Sequence, residues 1–82
     1  MTETANYYLD ITGDLCPMTF VKTKLVIEKM QSGDTLVVRL KGFEPLRNVP
    51  RSVNELGHSI LSLDAEPGEP ADGIHRLLLL KK

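Results

Sequence analysis

The chain has 82 residues, of which 41% are hydrophobic and 26% charged, and its formal net charge is −1. This length and composition predict a single globular domain over residues 1–82 with a modest core. No apolar run approaches the roughly 18 residues that a membrane-spanning helix needs, and the first residues lack the basic and apolar regions of a signal peptide. We therefore expect a cytoplasmic protein that does not enter a membrane.

The residue pattern predicts six elements. In chain order these are a strand over 7–12, a helix from 17 to about 31, a strand over 35–41, a helix from about 46 to Gly57, and strands over 59–64 and 74–81. An acidic, turn-rich loop over 65–73 makes the last two strands antiparallel, whereas links through helices favour parallel strands. We predict an α+β fold, a two-layer sandwich of order β-α-β-α-β-β, with one four-stranded mixed sheet and both helices on one face.

Cys16 and Pro17 lie where the first strand gives way to the first helix. Proline is well tolerated at a first helical position, because its missing N–H would have no intrahelical partner there. We interpret Cys16 as the N-cap residue, so its sulfur would lie beside the backbone N–H groups of the first turn. A helix N-terminus carries roughly half a positive charge, which lowers a thiol pKa below its free value of about 8.5. We therefore predict that Cys16 is catalytic and that Pro17, Met18 and Thr19 support its thiolate.

The first helix has two apolar rows on nearly opposite faces. The row predicted to face the core runs the length of the helix and consists of Phe20, Thr23, Ile27 and Met30. The other row consists of Met18, Val21 and Leu25. Because an exposed apolar stripe with a charged rim is typical of a docking surface, we predict that partners contact Met18, Val21, Lys22, Lys24 and Leu25. The alternative is a helix buried on both sides by loops or by a second copy.

The strands and the second helix also show apolar positions that the residue pattern assigns. In the first strand we expect Leu9 and Ile11 to face the core, and in the second strand we expect Val38 and Leu40, or their neighbours, to pack inward. The i, i+3, i+7, i+10 spacing of an apolar row predicts a second amphipathic helix that ends at Gly57; the row consists of Leu46, Val49, Val53 and Leu56. Pro50 lies inside that row, so either the turn before it is separate, with Asn48 as a second cap, or the helix is kinked there.

Charge is distributed unevenly along the chain. Residues 16–51 contain seven basic and three acidic side chains, a net of +4, whereas residues 52–73 contain five acidic residues and no lysine or arginine. These segments are either ordinary solvated faces or a positive surround for an anionic sulfur. Under the second interpretation Arg47 and Arg51 contribute to the electropositive surround of Cys16.

Several reaction classes are excluded by the residue inventory. The chain contains one cysteine, so it forms no internal disulfide, no cysteine-based metal site and no intramolecular dithiol couple; we expect no metal and no cofactor. A nucleophilic hydrolase needs a base beside the thiol, and His58 and His75 are both predicted to lie away from Cys16. Thiol exchange or sulfur transfer fits better, because no leaving amine or alkoxide then needs a proton.

Three segments carry a recognisable motif. They are Leu9-Asp10-x-x-Gly13-x-x-Cys16-Pro17, Met30-Gln31-x-Gly33-Asp34, and Asn48-Val49-Pro50-Arg51 with Leu56-Gly57-His58. Together with the length and the element order, they resemble the TusA-type (SirA-like) sulfur carriers over nearly the whole chain. The resemblance implies a sandwich like the C-terminal domain of a translation initiation factor.

The same resemblance implies a role for the cysteine. Cys16 would accept sulfane sulfur as a persulfide from a donor protein of cysteine desulfurase or rhodanese type, and would pass it to an acceptor protein. Pathways that use such carriers include tRNA thiolation and sulfur oxidation. The family pattern is Cys-Pro-x-Pro, and this chain has Thr19 in place of the second proline. Thr19 restores a backbone N–H and adds a hydroxyl, and either group can donate a hydrogen bond to a thiolate or persulfide.

Two other functions are weighed against sulfur transfer. The alternative is a non-catalytic regulatory or adaptor module in which Cys16 is redox-sensitive or structural. Direct nucleic-acid binding is not expected, because the net charge is −1, the chain has only four tyrosine and phenylalanine residues, and it carries no recognised motif.

Overall fold

The computed structural model describes residues 6–14 and 18–82. Its elements are β1 (Tyr7–Asp10), α1 (Met18–Lys29), β2 (Thr35–Leu40), α2 (Phe43–Glu55), β3 (Ser59–Ala65) and β4 (His75–Leu80). The predicted order of strands and helices is confirmed. No helix within the described ranges is long and apolar enough to cross a membrane.

The four strands form one mixed sheet in the order β1-β2-β4-β3. As predicted, β1 pairs with β2 in parallel and β3 pairs with β4 antiparallel. The sequence did not indicate that β4 lies between β2 and β3, antiparallel to both. Because β1 and β2 are parallel neighbours, both chain links that lead into a helix leave the same end of the sheet. That end contains the last residues of β1 and β2 and the first residues of β4.

The core lies between the sheet and the two helices. Its buried members are Ile11, Ile27, Met30, Leu36, Val38, Leu40, Val49, Val53, Leu77 and Leu79. The predicted inward residues Ile11, Val38 and Leu40 are therefore confirmed, and Leu9 packs against this cluster as a partly buried side chain. Burial of these aliphatic side chains supplies the main favourable free energy of folding.

The buried face of α1 differs from the prediction at its first turn. Thr23, Ile27 and Met30 are buried as expected, but Thr19 is fully buried where Phe20 was predicted, and Phe20 is half-buried. The Thr23 hydroxyl donates to the Thr19 carbonyl oxygen at 2.8 Å, so its hydrogen-bonding need is met inside the helix. Small threonine side chains fit close to the sheet, whereas a phenylalanine at the same position would hold the helix further away.

The second helix begins earlier than the spacing predicts. It starts at Phe43, follows the N-cap residue Gly42, and contains Pro50 without a break, so Asn48 is an interior residue and not a cap. Gly42 has φ 103°, a conformation that favours glycine, and its N–H donates to the Asp72 carbonyl oxygen at 2.9 Å. This bond joins the start of α2 to the loop between β3 and β4.

Leu56, the last member of the apolar row on α2, is not buried with the others. The buried residues of α2 are Pro45, Val49 and Val53, while Leu46 is partly buried. The helix ends at Glu55, and Leu56 is the C-cap residue, which is exposed. The i, i+3, i+7 row therefore ends before Leu56, because the chain leaves the helix one residue too early for that side chain to face the sheet.

Candidate functional site

The link between β1 and α1, residues 11–17, begins with a turn organised by Asp10. Its Oδ1 atom accepts hydrogen bonds from the Thr12 N–H at 2.9 Å and the Thr12 hydroxyl at 2.7 Å. The Asp14 N–H then donates to the Ile11 carbonyl oxygen at 3.1 Å. Cys16 and Pro17, the predicted nucleophile and its neighbour, lie outside the described residues, between Asp14 and Met18 in the chain.

Asp10 is also part of an ion-pair cluster across the sheet. The Arg39 guanidinium bonds Asp10 at 3.2 Å and binds both carboxylate oxygens of Glu66, at 2.8 and 3.1 Å, and Arg76 bonds Glu66 at 3.2 Å. Hydrogen bonds from Thr12, assisted by Arg39, lower the pKa of Asp10, and those from Arg39 and Arg76 lower the pKa of Glu66. The two carboxylates raise the pKa of Arg39 above its ordinary value. The cluster ties the start of the β1–α1 link to β2 and to the residue after β3.

A cleft lies between the two links that lead into helices. Its volume is about 480 Å³, and it is lined by Thr12 and Asp14 from the first link and by residues 41–45 from the second link and the start of α2. Asp14 lies two residues before Cys16 in the sequence. The cleft is therefore lined by a residue that lies two positions before the only cysteine in the sequence.

The predicted apolar stripe on α1 is exposed. Met18, Val21 and Leu25 have 39–53% of their surface accessible, so the expectation that this row faces away from the core is confirmed. Lys24 is exposed beside the stripe. Lys22 is bound by Asp14, with its Nζ atom 2.9 Å from Oδ1. Contact of partners with these residues stays a prediction.

The two arginines predicted to surround the sulfur lie on α2. The guanidinium carbon of Arg47 lies 5.9 Å from the centre of the Phe43 ring, and an Arg51 Nη2 atom donates to Asn48 Oδ1 at 3.3 Å. Arg47 lines a second cleft of about 530 Å³ together with Phe43, Leu46, Ala71 and Asp72. Neither arginine lines the cleft beside Asp14, so their proposed electrostatic role stays a prediction.

Phe43 was not identified from the sequence. Its side chain is 71% exposed, and it lines both clefts. The signal that could have found it is the pair Gly42 and Pro45, because glycine before a helix and proline in its first turn mark a helix start at residue 43. Asp14 was missed as well, because its partner Lys22 is eight residues away.

The two histidines lie at opposite ends of the sheet. His58 Nδ1 accepts from the Lys82 N–H at 3.2 Å, beside the C-terminus. His75 opens β4 opposite Leu40 and lies 2.9 Å from the Gly73 carbonyl oxygen through its Nδ1 atom. Since β2 separates β4 from β1, His75 is roughly 10 Å from the line of β1. In residues 6–14 and 18–82 no three His, Cys, Asp or Glu side chains are grouped as metal ligands.

Comparison with known proteins assigns the family. Residues 7–81 match the family model described as sulfurtransferase TusA. The chain belongs to the TusA family. A candidate sulfur carrier protein of Archaeoglobus fulgidus is 48% identical over 60 residues, which cover 73% of this chain and 68% of that protein. A second, from Thermotoga maritima, is 32% identical over 56 residues, covering 68% of this chain and 71% of the relative.

The fold of this TusA-family chain is also found in a solved structure. A crystal structure of a SirA-like protein from Desulfitobacterium hafniense superimposes with a TM-score of 0.71, covering 90% of this chain and 95% of that one, at 15% sequence identity. At that identity the likeness shows the fold alone. Membership of the TusA family supports a sulfur-transfer role and implies protein partners that supply and receive sulfur.

Proposed function

We propose that the protein is a single-domain cytoplasmic sulfur carrier that accepts sulfane sulfur as a persulfide on Cys16 and relays it to an acceptor protein. The observation that carries this proposal is the family match over residues 7–81, which includes the only cysteine of the chain. The cytoplasmic setting is supported by the free thiol, because thiols stay reduced there. The donor would be a protein of cysteine desulfurase or rhodanese type.

The transfer needs no external oxidant or base. The Cys16 thiolate attacks the outer sulfur of the donor's persulfide, the donor's S–S bond breaks, and the donor cysteine leaves as a thiolate. A new S–S bond joins Cys16 to the transferred sulfur. A thiolate of the acceptor then attacks that outer sulfur and releases the Cys16 thiolate, so sulfane sulfur moves without net oxidation or reduction.

The first turn of α1 is our proposed support for the sulfur. The helix begins at Met18, and the backbone N–H groups of a first helical turn point away from the helix body, toward an incoming anion. Cys16 and Pro17 precede this turn directly in the chain. We propose that Thr19, where the family has a second proline, contributes through its backbone and through the close packing of its buried side chain.

The stripe of Met18, Val21 and Leu25 is our proposed docking surface for the sulfur donor. It begins two residues after Cys16, so a donor bound there would bring its persulfide to the thiol. Lys24 beside the stripe favours a donor with an apolar patch and an acidic rim. A protein donor is supported by the family, whose sulfurtransferase name implies an exchange of sulfur between partners.

Intact-mass spectrometry tests the persulfide. We expect the protein, incubated with a cysteine desulfurase and cysteine, to gain the mass of one or more sulfur atoms that a thiol reductant removes. Cys16→Ala should gain none. Absence of added mass under an excess of loaded donor would contradict the proposal, and it would favour the adaptor alternative if Cys16→Ser also kept its biological activity.

A matched pair of variants tests the docking surface. Leu25 on α1 and Leu61 on β3 are equally exposed, at 53% and 51%. We expect Leu25→Ser to slow sulfur loading from a protein donor about tenfold, because one buried leucine contact contributes about 1–2 kcal/mol, and Leu61→Ser to leave the rate unchanged. Equal rates for the two variants would exclude the stripe as the docking surface.

A further inference from the structure

The strand β3 lies at an edge of the sheet. Within the residues that the structure describes, β4 is the one strand next to it, so one row of backbone N–H and C=O groups on β3 has no strand partner. β3 is seven residues long, whereas β1, at the other edge, has four. A long edge strand is a template for pairing with a further strand, and a short one resists such pairing.

Exposed leucines lie along this edge. Leu56, between α2 and β3, is 45% exposed, and Leu61 and Leu63 in β3 are 51% and 37% exposed. Leu63 lies opposite the core residue Leu77 and therefore points to the helix-covered side of the sheet. Leu61 has no partner on β4, because a β-bulge inserts it as an extra residue. Leu56, Leu61, Leu63 and the free side of β3 together form a surface that we call the β3 edge surface.

The β3 edge surface lacks the residues that commonly protect an exposed strand. Residues 56–66 contain no lysine, arginine or proline, and lysine and proline are frequent means of preventing edge pairing. The bulge interrupts the ladder at one residue but leaves the leucines exposed. The acidic side chains are compensated within the chain, because Glu66 is bound by Arg39 and Arg76 and Asp64 lies opposite Arg76 in the ladder. Like charges therefore do not keep two copies of this edge apart.

We infer that the β3 edge surface joins two copies of this chain in a twofold dimer, with the two β3 strands antiparallel and centred on Leu61. This arrangement brings the leucines of both copies together and places His58 of one copy opposite Asp64 of the other. His58 Nδ1 accepts from the Lys82 N–H, so the neutral ring carries its proton on Nε2, which can donate to a carboxylate. Parallel pairing would instead place the two Asp64 carboxylates side by side.

The dimer leaves the proposed donor surface free. The helix α1 contacts β1 and β2, whereas α2 contacts β3, so the stripe of Met18, Val21 and Leu25 lies over the other half of the sheet. We therefore expect sulfur loading to be independent of dimerisation. The dimer stands or fails separately from the proposed function, because its test measures the mass of the assembly and not the transfer of sulfur.

Sedimentation velocity of the full-length chain measures the self-association. The experiment covers roughly a hundredfold range of concentration in a thiol reductant, because the single cysteine would otherwise allow a disulfide between two chains. We expect the weight-average mass to rise from that of one chain toward that of two and no further. A monomer at every concentration would overturn the inference. Assemblies larger than two chains would overturn it as well, because they indicate an open contact without twofold symmetry.

A matched pair of variants tests whether the dimer forms through this edge. Leu61 on β3 and Leu25 on α1 are similarly exposed, at 51% and 53%. Leu61→Lys should raise the dissociation constant of the dimer at least about tenfold, because this side chain lies at the centre of the interface in both copies. Leu25→Lys should leave the constant unchanged, and thermal melting by circular dichroism verifies that both variants fold. A dimer that survives Leu61→Lys, or is lost in Leu25→Lys, uses another surface and contradicts the inference.

An exchange of charge tests the antiparallel arrangement. His58→Asp should raise the dissociation constant about fivefold, because it places two carboxylates opposite each other at both ends of the interface. The double variant His58→Asp with Asp64→His exchanges the two residues and should return the constant close to the wild-type value. No change in the single variant, or a double variant as weak as the single, would show that these residues do not meet and would overturn the proposed register.

Discussion

The two helices cover the same face of the sheet but distribute their side chains in opposite ways. In α2 the apolar residues Val49 and Val53 are buried and the arginines are exposed. In α1 the buried face begins with two threonines, while Met18, Val21 and Leu25 are exposed. Folding alone favours the arrangement of α2, because burial of apolar surface drives packing. An apolar outer face on the helix that follows the thiol is therefore not explained by folding alone, and it is the surface that we propose for contact with the sulfur donor.

The largest expected effect comes from placing a charge on the buried face of α2. Val53 is fully buried, so Val53→Asp introduces an unpaired carboxylate into the core and should cost about 4 kcal/mol or more. A small domain has little stability to spare, so we expect an unfolded or severely destabilised protein in urea denaturation.

The same substitution on the outer face of α1 is the control. Leu25→Asp should change the free energy of unfolding by less than about 1 kcal/mol, because about half of this side chain is already exposed and a carboxylate at this position can stay in water. A large loss of stability in Leu25→Asp would mean that the stripe is part of the fold and would remove the contrast between the two helices.

The second expected effect concerns the threonines under α1. Thr23 is fully buried and its hydroxyl bonds within the helix. Thr23→Val should change the free energy of unfolding by no more than about 1 kcal/mol, whereas Thr23→Leu should cost about 1–3 kcal/mol, because the larger side chain forces the helix away from the sheet. Urea denaturation of both variants tests this. Equal stability of the leucine variant and the wild type would show that α1 does not need small residues there.

The sequence predicted the elements better than their assembly, for a physical reason. Element order, the antiparallel last pair and the exposed stripe follow from local periodicity and turn residues. The position of β4 between β2 and β3 depends on pairing between distant segments, which no local pattern records. The first-turn error on α1 has a different cause. Hydrophobicity favoured Phe20 for the core, but the space between that turn and the sheet suits the smaller Thr19.

Only some residues of the candidate site could likewise be identified from the sequence. Cys16, Met18 and Leu25 were identified because a proline after the thiol and a row of apolar residues are readable from neighbouring positions. Asp14 and Phe43 were not identified, because they line the same cleft only when the two distant links are brought together by the fold. Lys22 was identified as a docking residue, but its ion pair with Asp14, eight residues away, was not indicated by the sequence.

The third and smaller expected effect on stability concerns the C-terminal ends of the two helices, which are hydrogen-bonded in different ways. The N–H groups of Leu56 and Gly57 donate to carbonyl oxygens in the last turn of α2, whereas carbonyl oxygens at the end of α1 and just beyond it are bound by a side chain that follows β4. Lys81 Nζ donates to the carbonyl oxygens of Ile27 at 2.8 Å and Met30 at 2.6 Å. Lys81→Met should cost about 1–2 kcal/mol in urea denaturation, because it removes two charge-assisted hydrogen bonds at a helix C-terminus. Lys82→Met, which alters the exposed neighbour, should have no measurable effect, and equal losses in both variants would contradict this capping role.

The smallest expected effect is a pH dependence that belongs to the sheet rather than to either helix. The pKa values of Asp10 and Glu66 are lowered in the folded protein by their hydrogen bonds to Thr12 and Arg39. A carboxylate with a lowered folded-state pKa stabilises the fold above its unfolded pKa of about 4, and this stabilisation is lost as the pH falls through the folded-state value. In urea denaturation Glu66→Gln should therefore be less stable than the wild type near pH 7, and the two stability curves should converge below about pH 4.

The control for this pH dependence is Glu55→Gln, which alters an exposed carboxylate at the end of α2. Its stability curve should follow the wild type throughout. A gap between Glu66→Gln and the wild type that persists undiminished in acid would mean that the glutamate acts through packing and not through its charge.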